Sequence, residues 1–485
     1  MKIMFKYCKN IIATIVFLAI LVTSVNAVTK ILLRKDSIAQ YSDMQETDEF
    51  DVLFMGTSHV LDGIFPMELW NDYGIVSYNC GGNSNRLPTT YCILNNILAY
   101  YHPQTVVIDI FGIESNEKVV PGRLGVEFQH VSFDWLPMSK EKIEAVSFLF
   151  DDVGTRMEFL VPISIYHERW MDLEENDFNV LRNVGKGAAY GLYYSKPGQF
   201  ELIDKTNMNL ENSLGKEYLC KMIEMCQEKG IQVLLINIPY PATVEEQQWA
   251  NSVQIIADQY DVDYLNLQYE NTGLNFNTDC LDVNSHLNLS GGRRVTDFLG
   301  QYLRQNYNVP DRRGDEIYSG WNEDYREYAA FKWNAIREQK SNAPAYLSAL
   351  QDKNLNICLY FNGDSEMMKD DVIPGLVQNI AELQRLEEAL TIGADYFAVI
   401  DNSDSRIYEY VGEDAVLDLE ASFVKISLSE KVDGERSLNI NEEELNYLTS
   451  DRRATSELVV ISYDKDTGEM VDWVKFDMDK KISGS

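Results

Sequence analysis

Phe50-Asp51-Val52-Leu53-Phe54-Met55-Gly56-Thr57-Ser58-His59 is the stretch that decides the fold. From Val52 to Met55 it is apolar at every position, which is the pattern of a strand covered on both faces in a parallel sheet. It then stops in Gly-x-Ser, so Ser58 is expected at the carboxyl edge of the sheet, where open α/β sheets bind their ligands. Two roles are open to Ser58 from this fragment alone: N-cap of the next helix or nucleophile.

Outward from it, apolar runs at 75–79, 105–111, 232–238 and 263–267 repeat the strand pattern. Amphipathic stretches at 87–101, 214–229, 245–260 and 289–306 separate or follow them. Strands alternating with helices predict a three-layer α/β/α, flavodoxin-like domain with a parallel sheet over residues 45–308. The interval 114–212 is too long for a simple connection and is read as an insertion near the ligand-binding edge. The charged, breaker-containing Pro310-Asp311-Arg312-Arg313-Gly314-Asp315 marks a boundary, followed by a helical linker over 309–353. Residues 354–485 read as an α+β domain, with strands at 355–361, 396–400, 423–426, 458–463 and 471–476 and one helix at 376–390. Asp464-Lys465-Asp466-Thr467-Gly468-Glu469 is expected to be a hairpin turn between the last two strands.

The N-terminus departs from this pattern. Lys2, Lys6 and Lys9 precede an uncharged run from Asn10 to Thr29, followed by Lys30, Arg34 and Lys35. Such a run can span a bilayer as one helix, so residues 1–35 are expected to be a cytoplasmic tail and single-pass anchor with the remaining chain extracytoplasmic. The rival reading is a signal peptide cut near Val25-Asn26-Ala27, with secretion of the rest. Acidic residues outnumber basic ones 76 to 42, a surface that repels phosphate backbones and excludes nucleic acid as a partner. The seven cysteines lack paired spacing, and no CxxC or HExxH pattern calls for a metal or other cofactor.

Asp282-Val283-Asn284-Ser285-His286-Leu287-Asn288 follows the fifth strand and precedes the last helix of the domain. A hydroxyl is a weak nucleophile until a base takes its proton and an acid orients that base. His286 is the base this motif supplies. Asp282 is the nearest orienting acid, with Asp279 behind it. Asn79-Cys80-Gly81-Gly82-Asn83 follows the second strand, and its glycines let backbone N–H groups approach a developing oxyanion. His59 lines the pocket or packs on the sheet. Tyr166-His167-Glu168-Arg169-Trp170 suits either sugar stacking or packing.

These motifs resemble those of the SGNH (GDSL-like) hydrolase family over residues 48–308. Gly56-Thr57-Ser58 matches the Gly-Asp-Ser block, Gly81 the glycine that contributes an oxyanion N–H, and Ser285-His286-Leu287-Asn288 the block of the catalytic His. There are two departures. Asp282 lies four residues before His286 where the family has three, and Glu114 stands where many members carry an oxyanion-donating Asn. Asn83, Asn85 and Asn116 are the available substitutes for that donor.

With an anchor, the chain is similar to exported members that acylate or deacylate alginate, peptidoglycan or teichoic acid. The resemblance implies a serine esterase or O-acyltransferase acting on envelope polysaccharide. Ser58, His286 and Asp282 would form its triad, Gly81 and Asn83 its oxyanion site, and His59 and Asn85 its substrate contacts. It also implies a membrane-bound acyl-donor partner and no cofactor. The alternatives are a non-catalytic SGNH-fold glycan-binding or scaffold protein, and a lipid esterase. Residues 457–476 are faintly similar to the closing strands of the interleukin-like EMT inducer domain, which implies a β-rich recognition module.

Overall fold

The structure is a computed structural model. It describes residues 2–35, 40–41, 44, 49–178, 182–196, 201–282, 286–363, 365–412, 417–430, 436–441, 443–445, 458–477 and 480–484. The chain divides into two compact units. One comprises Met1–Ala189, Gln199–Thr272 and Val295–Tyr325; the other comprises Tyr190–Gly198, Gly273–Arg294 and Arg326–Ser485.

The first unit opens with α1 (Lys2–Leu32). Its segment Lys9–Leu32 is long and apolar enough to cross a membrane, with a mean hydropathy of 2.5. The sheet follows: β1 (Val52–Gly56), then α2 (Ser58–Gly63), α3 (Pro66–Tyr73), β2 (Ser77–Gly81), α4 (Leu87–Ile97) and β3 (Thr105–Asp109). An insertion holds α5 (Arg123–Phe133), α6 (Lys140–Leu149), α7 (Val153–Leu160) and α8 (Ile163–Tyr166). The sheet resumes with α9 (Leu214–Glu228), β4 (Gln232–Asn237), α10 (Val244–Tyr260), β5 (Asp263–Asn266) and α11 (Leu289–Asn306).

The five strands run parallel in the order β2-β1-β3-β4-β5. This doubly wound order has its switch point between β1 and β3. β1, β2 and β3 are buried at every position, as strands covered on both faces must be. On one face α4 meets α9, with Tyr91 edge-on to Tyr218 at 5.3 Å, and α9 meets α10, where Tyr260 donates to Glu224. On the other face lie α2 and α3, with Tyr73 donating to Asp297 of α11 at 2.7 Å. An added Cβ at Gly300 would stand 2.4 Å from the Tyr73 ring, so glycine sets how closely α11 approaches α3. The predicted layers over this part of the chain are therefore present. The Arg312 of the charged boundary segment is bonded through two nitrogens to Asp51, at the base of β1.

The helix α12 (Gly320–Glu338) begins in the first unit and ends in the second, where α13 (Ala343–Ala349) then precedes β6 (Leu355–Phe361). The predicted single helix at 376–390 is instead two, α14 (Ile373–Ile380) and α15 (Leu386–Ile392). Between them Gln378 donates to the Leu383 carbonyl, and the Glu409 carboxylate accepts the N–H groups of Gln384 and Arg385. These bonds replace helical ones and break the run. β7 (Tyr396–Asp401), β8 (Arg406–Val411), β9 (Leu417–Glu420), β10 (Lys425–Glu430), β11 (Arg436–Ile440) and β12 (Glu443–Leu445) follow, then β13 (Leu458–Asp464), β14 (Met470–Asp477) and β15 (Lys480–Gly484). They form antiparallel sheets in the orders β15-β14-β13-β6-β7-β8 and β12-β11-β10-β9. The β13–β14 connection is a hairpin, as predicted. Asp464 Oδ1 accepts from the amides of Asp466 and Thr467, and Gly468 adopts φ 71°.

Candidate active site

Thr57, not Ser58, caps the helix that follows β1. Its Oγ1 accepts the His59 N–H at 3.2 Å, which leaves the capping role filled. Ser58 is the first residue of α2 and is partly exposed in otherwise buried surroundings. Gly56 is required just before it. An added Cβ there would lie 2.6 Å from Val60 and 2.9 Å from Asp109.

The end of β2 is organised by one side chain. Asn79 donates through Nδ2 to the carbonyls of Val60 and Ile64, at 2.7 and 2.8 Å, and accepts the Gly81 N–H on Oδ1 at 2.9 Å. Gly81 is the residue expected to offer an oxyanion N–H. Its amide is already bonded, as is that of Gly82, which donates to the Gly56 carbonyl. What glycine provides here is proximity, since a Cβ on Gly81 would stand 2.5 Å from Leu61 N and 2.7 Å from the Thr57 carbonyl. Asn83 and Ser84 come next, both partly exposed. Ser84 has φ 57°, a left-handed conformation uncommon outside glycine and often found at functional turns.

The two expected substrate contacts are buried. His59 is 2% exposed, packed 4.0 Å from the Phe111 ring and edge-on to Tyr240. Asn85, also 2% exposed, accepts from Ser132 of α5. Asn85 Nδ2 has no hydrogen-bond partner among the described residues. Asn116 accepts the Leu214 N–H at the start of α9, and burial pushes the Glu114 carboxyl up.

Sequence reasoning passed over Asp109, the last residue of β3. It is fully buried, and burial lifts its carboxyl to about 7 against the opposing backbone N–H groups of Ile238, Phe111 and Ile110. Oδ1 accepts from Ile238 at 3.3 Å, while Oδ2 has no hydrogen-bond partner among the described residues. The available signal was an acid ending the apolar run Thr105-Val106-Val107-Ile108, at the switch point.

A cavity of about 380 Å³ in the same unit is lined by Leu61, Asn83, Leu124, Phe128, Val131 and Gly187, among others. Leu61 stands one turn after Ser58, on the same side of α2. The cavity wall and the serine therefore share a helix face.

In the second unit, His286 Nδ1 meets Asp282 Oδ2 at 2.5 Å, and the His286 amide donates to Asp282 Oδ1. The four-residue spacing thus accommodates the pair. Residues 283–285 of the motif lie outside the described residues. The flanks form a narrow hairpin in which Leu281 N–H donates to the His286 carbonyl and Asn288 N–H to the Asp279 carbonyl. Asp279 is buried and serves this hairpin, not the imidazole. It accepts from Asn275, Thr278 and Ser290 and pairs with Arg294. The C-terminal helices hold it as well: Asn379 donates to Thr278 and Gln351, and Asn288 donates to Ser348.

Among the described residues, no group of three or more His, Cys, Asp or Glu side chains is placed to hold a metal ion. Cys80, Cys92, Cys226, Cys280 and Cys358 are buried free thiols. Comparison with known proteins finds no family model, no curated protein and no solved structure that matches this chain.

Proposed function

We propose that this chain is a membrane-anchored, extracytoplasmic SGNH-type serine esterase or O-acyltransferase acting on acylated envelope glycan. The observation that carries the reading is the Asp282–His286 contact. A carboxylate on Nδ1 fixes the imidazole tautomer and leaves Nε2 to act as the base. In the proposed reaction His286 takes the Ser58 proton as Oγ attacks the acyl carbonyl. It then returns that proton to the leaving alcohol, and the acyl-enzyme passes its acyl group to water or to a sugar hydroxyl. With the Gly81 amide engaged, the oxyanion falls to the Ser58 amide and to Asn83.

The test is acetyl release from a short-chain aryl ester by the full chain in detergent, compared with Ser58→Ala and His286→Ala. Each substitution is expected to lower kcat by about a thousandfold or more. A rate unchanged by either one would overturn the assignment.

A second reading has its own observation. The bonded Gly81 amide removes one oxyanion donor, which favours a non-catalytic glycan-binding or scaffold role. A folded protein without ester turnover, whose glycan binding survives Ser58→Ala, would be that result.

A further inference from the structure

The end of α1 is closed by cationic side chains. A helix leaves its last four carbonyls without helical partners. Here Leu33 N–H donates to Thr29, Lys35 Nζ to the carbonyls of Lys30 and Ile31, and Arg169 Nη1 to those of Leu32 and Leu33, at 2.6 and 2.7 Å. The cations also complement the negative end of the helix dipole. Arg169 is held in turn by Asp177 at 2.7 Å. Leu32 and Leu33 are buried against Tyr166, Ile163, Ile165 and Leu173, whereas the apolar segment before them is bare. Residues 163–178 therefore form a collar that starts where the bare apolar helix ends.

The collar carries three large apolar side chains that the fold leaves uncovered: Trp170, Met171 and Phe178, at 67, 60 and 62% exposed. Trp170 follows Arg169 and Phe178 follows Asp177, so two of the three sit one residue from the clasp on the helix end. The 24 residues from Lys9 to Leu32 extend about 36 Å as a helix, against about 30 Å of bilayer hydrocarbon. The clasp then lies in the headgroup layer, the depth at which tryptophan is enriched. Lys30, Arg34 and Lys35 bring positive charge to the same level.

We infer that the collar is a second membrane contact, with Trp170, Met171 and Phe178 entering the headgroup–acyl boundary beside α1 and seating the first unit on the bilayer. This rests on α1 being a membrane anchor. The occupant is the lipid surface itself, because the exposed apolar residues lie beside the clasp that closes the end of the bare apolar helix.

The experiment uses the full chain in liposomes of phosphatidylcholine and phosphatidylglycerol, with lipid brominated near the headgroup as quencher. The emission lost in Trp170→Phe belongs to Trp170. It is expected to be quenched by brominated lipid and shielded from aqueous iodide. A second variant, Val28→Trp in the Trp170→Phe background, reports on α1 alone. Lipid quenching at position 28 together with iodide quenching of Trp170 overturns the collar contact and spares the anchor. Loss of lipid quenching at both positions overturns the anchor, and the collar contact with it.

Discussion

Replacing Asp109 with asparagine separates the cost of a buried carboxylate from every other pH effect in the chain. Asn keeps an acceptor for the Ile238 N–H and removes the titration. In the native protein, burial lifts the carboxyl from 3.8 to about 7. The folded state thus holds a proton that the unfolded chain releases above its ordinary carboxylate range. Stability from this group is fully present below about pH 4 and is lost as pH rises toward 7. At pH 5, below the folded value, most of that contribution remains, roughly 2–3 kcal/mol, and by pH 8 it is close to zero.

The assay is chemical denaturation of wild type and Asp109→Asn in detergent at both pH values, followed by fluorescence. The difference between the two proteins cancels the other titrating groups. It should change by about 2–3 kcal/mol in favour of the variant on going from pH 5 to pH 8. A difference that stays constant within about 0.5 kcal/mol would refute the claim that Asp109 is protonated in the fold.

Two further outcomes follow from the site. Asp282→Asn should lower kcat for the aryl ester by about a hundredfold with little change in KM, because it disturbs the tautomer and not substrate binding; an unchanged kcat would remove Asp282 from the mechanism. Gly81→Ala should destabilise the first unit by about 2 kcal/mol, seen as a lower Tm, because the new methyl meets backbone atoms of Leu61 and Thr57; an unaltered Tm would show that α2 can move away from β2.

The layers of the first unit were legible because burial on both faces leaves an unmistakable run such as Val52–Gly56, and parallel strands then require helices between them. The Asp282–His286 pairing was legible too, since it depends on residues close in the chain. Other features depend on which distant groups meet. Nothing local to Asn79 announces that its amide will bridge Val60, Ile64 and Gly81. The engagement of the Gly81 amide was invisible for the same reason. Thr57 and Ser58 are both favoured cap types, Ser the more so, and only backbone geometry gives the role to Thr57. The burial of His59 and Asn85 was not legible either, because the Phe111 and Tyr240 rings and the Ser132 hydroxyl beside them come from elsewhere in the chain.

The hydrogen bonds around Asp279 bear on modularity. The boundary after Tyr307 reads in sequence as a place where the chain could be divided, with an enzyme before it and an accessory module after it. Yet the hairpin that presents Asp282 and His286 is fastened by Ser348, Gln351 and Asn379, all beyond that boundary. Shortening the chain there would leave the hairpin without those fastenings, even though every residue of the motif remained. The C-terminal region is thereby tied to the hairpin it fastens. A gene fragment that exchanged it for another domain would also have to supply a new support for the histidine.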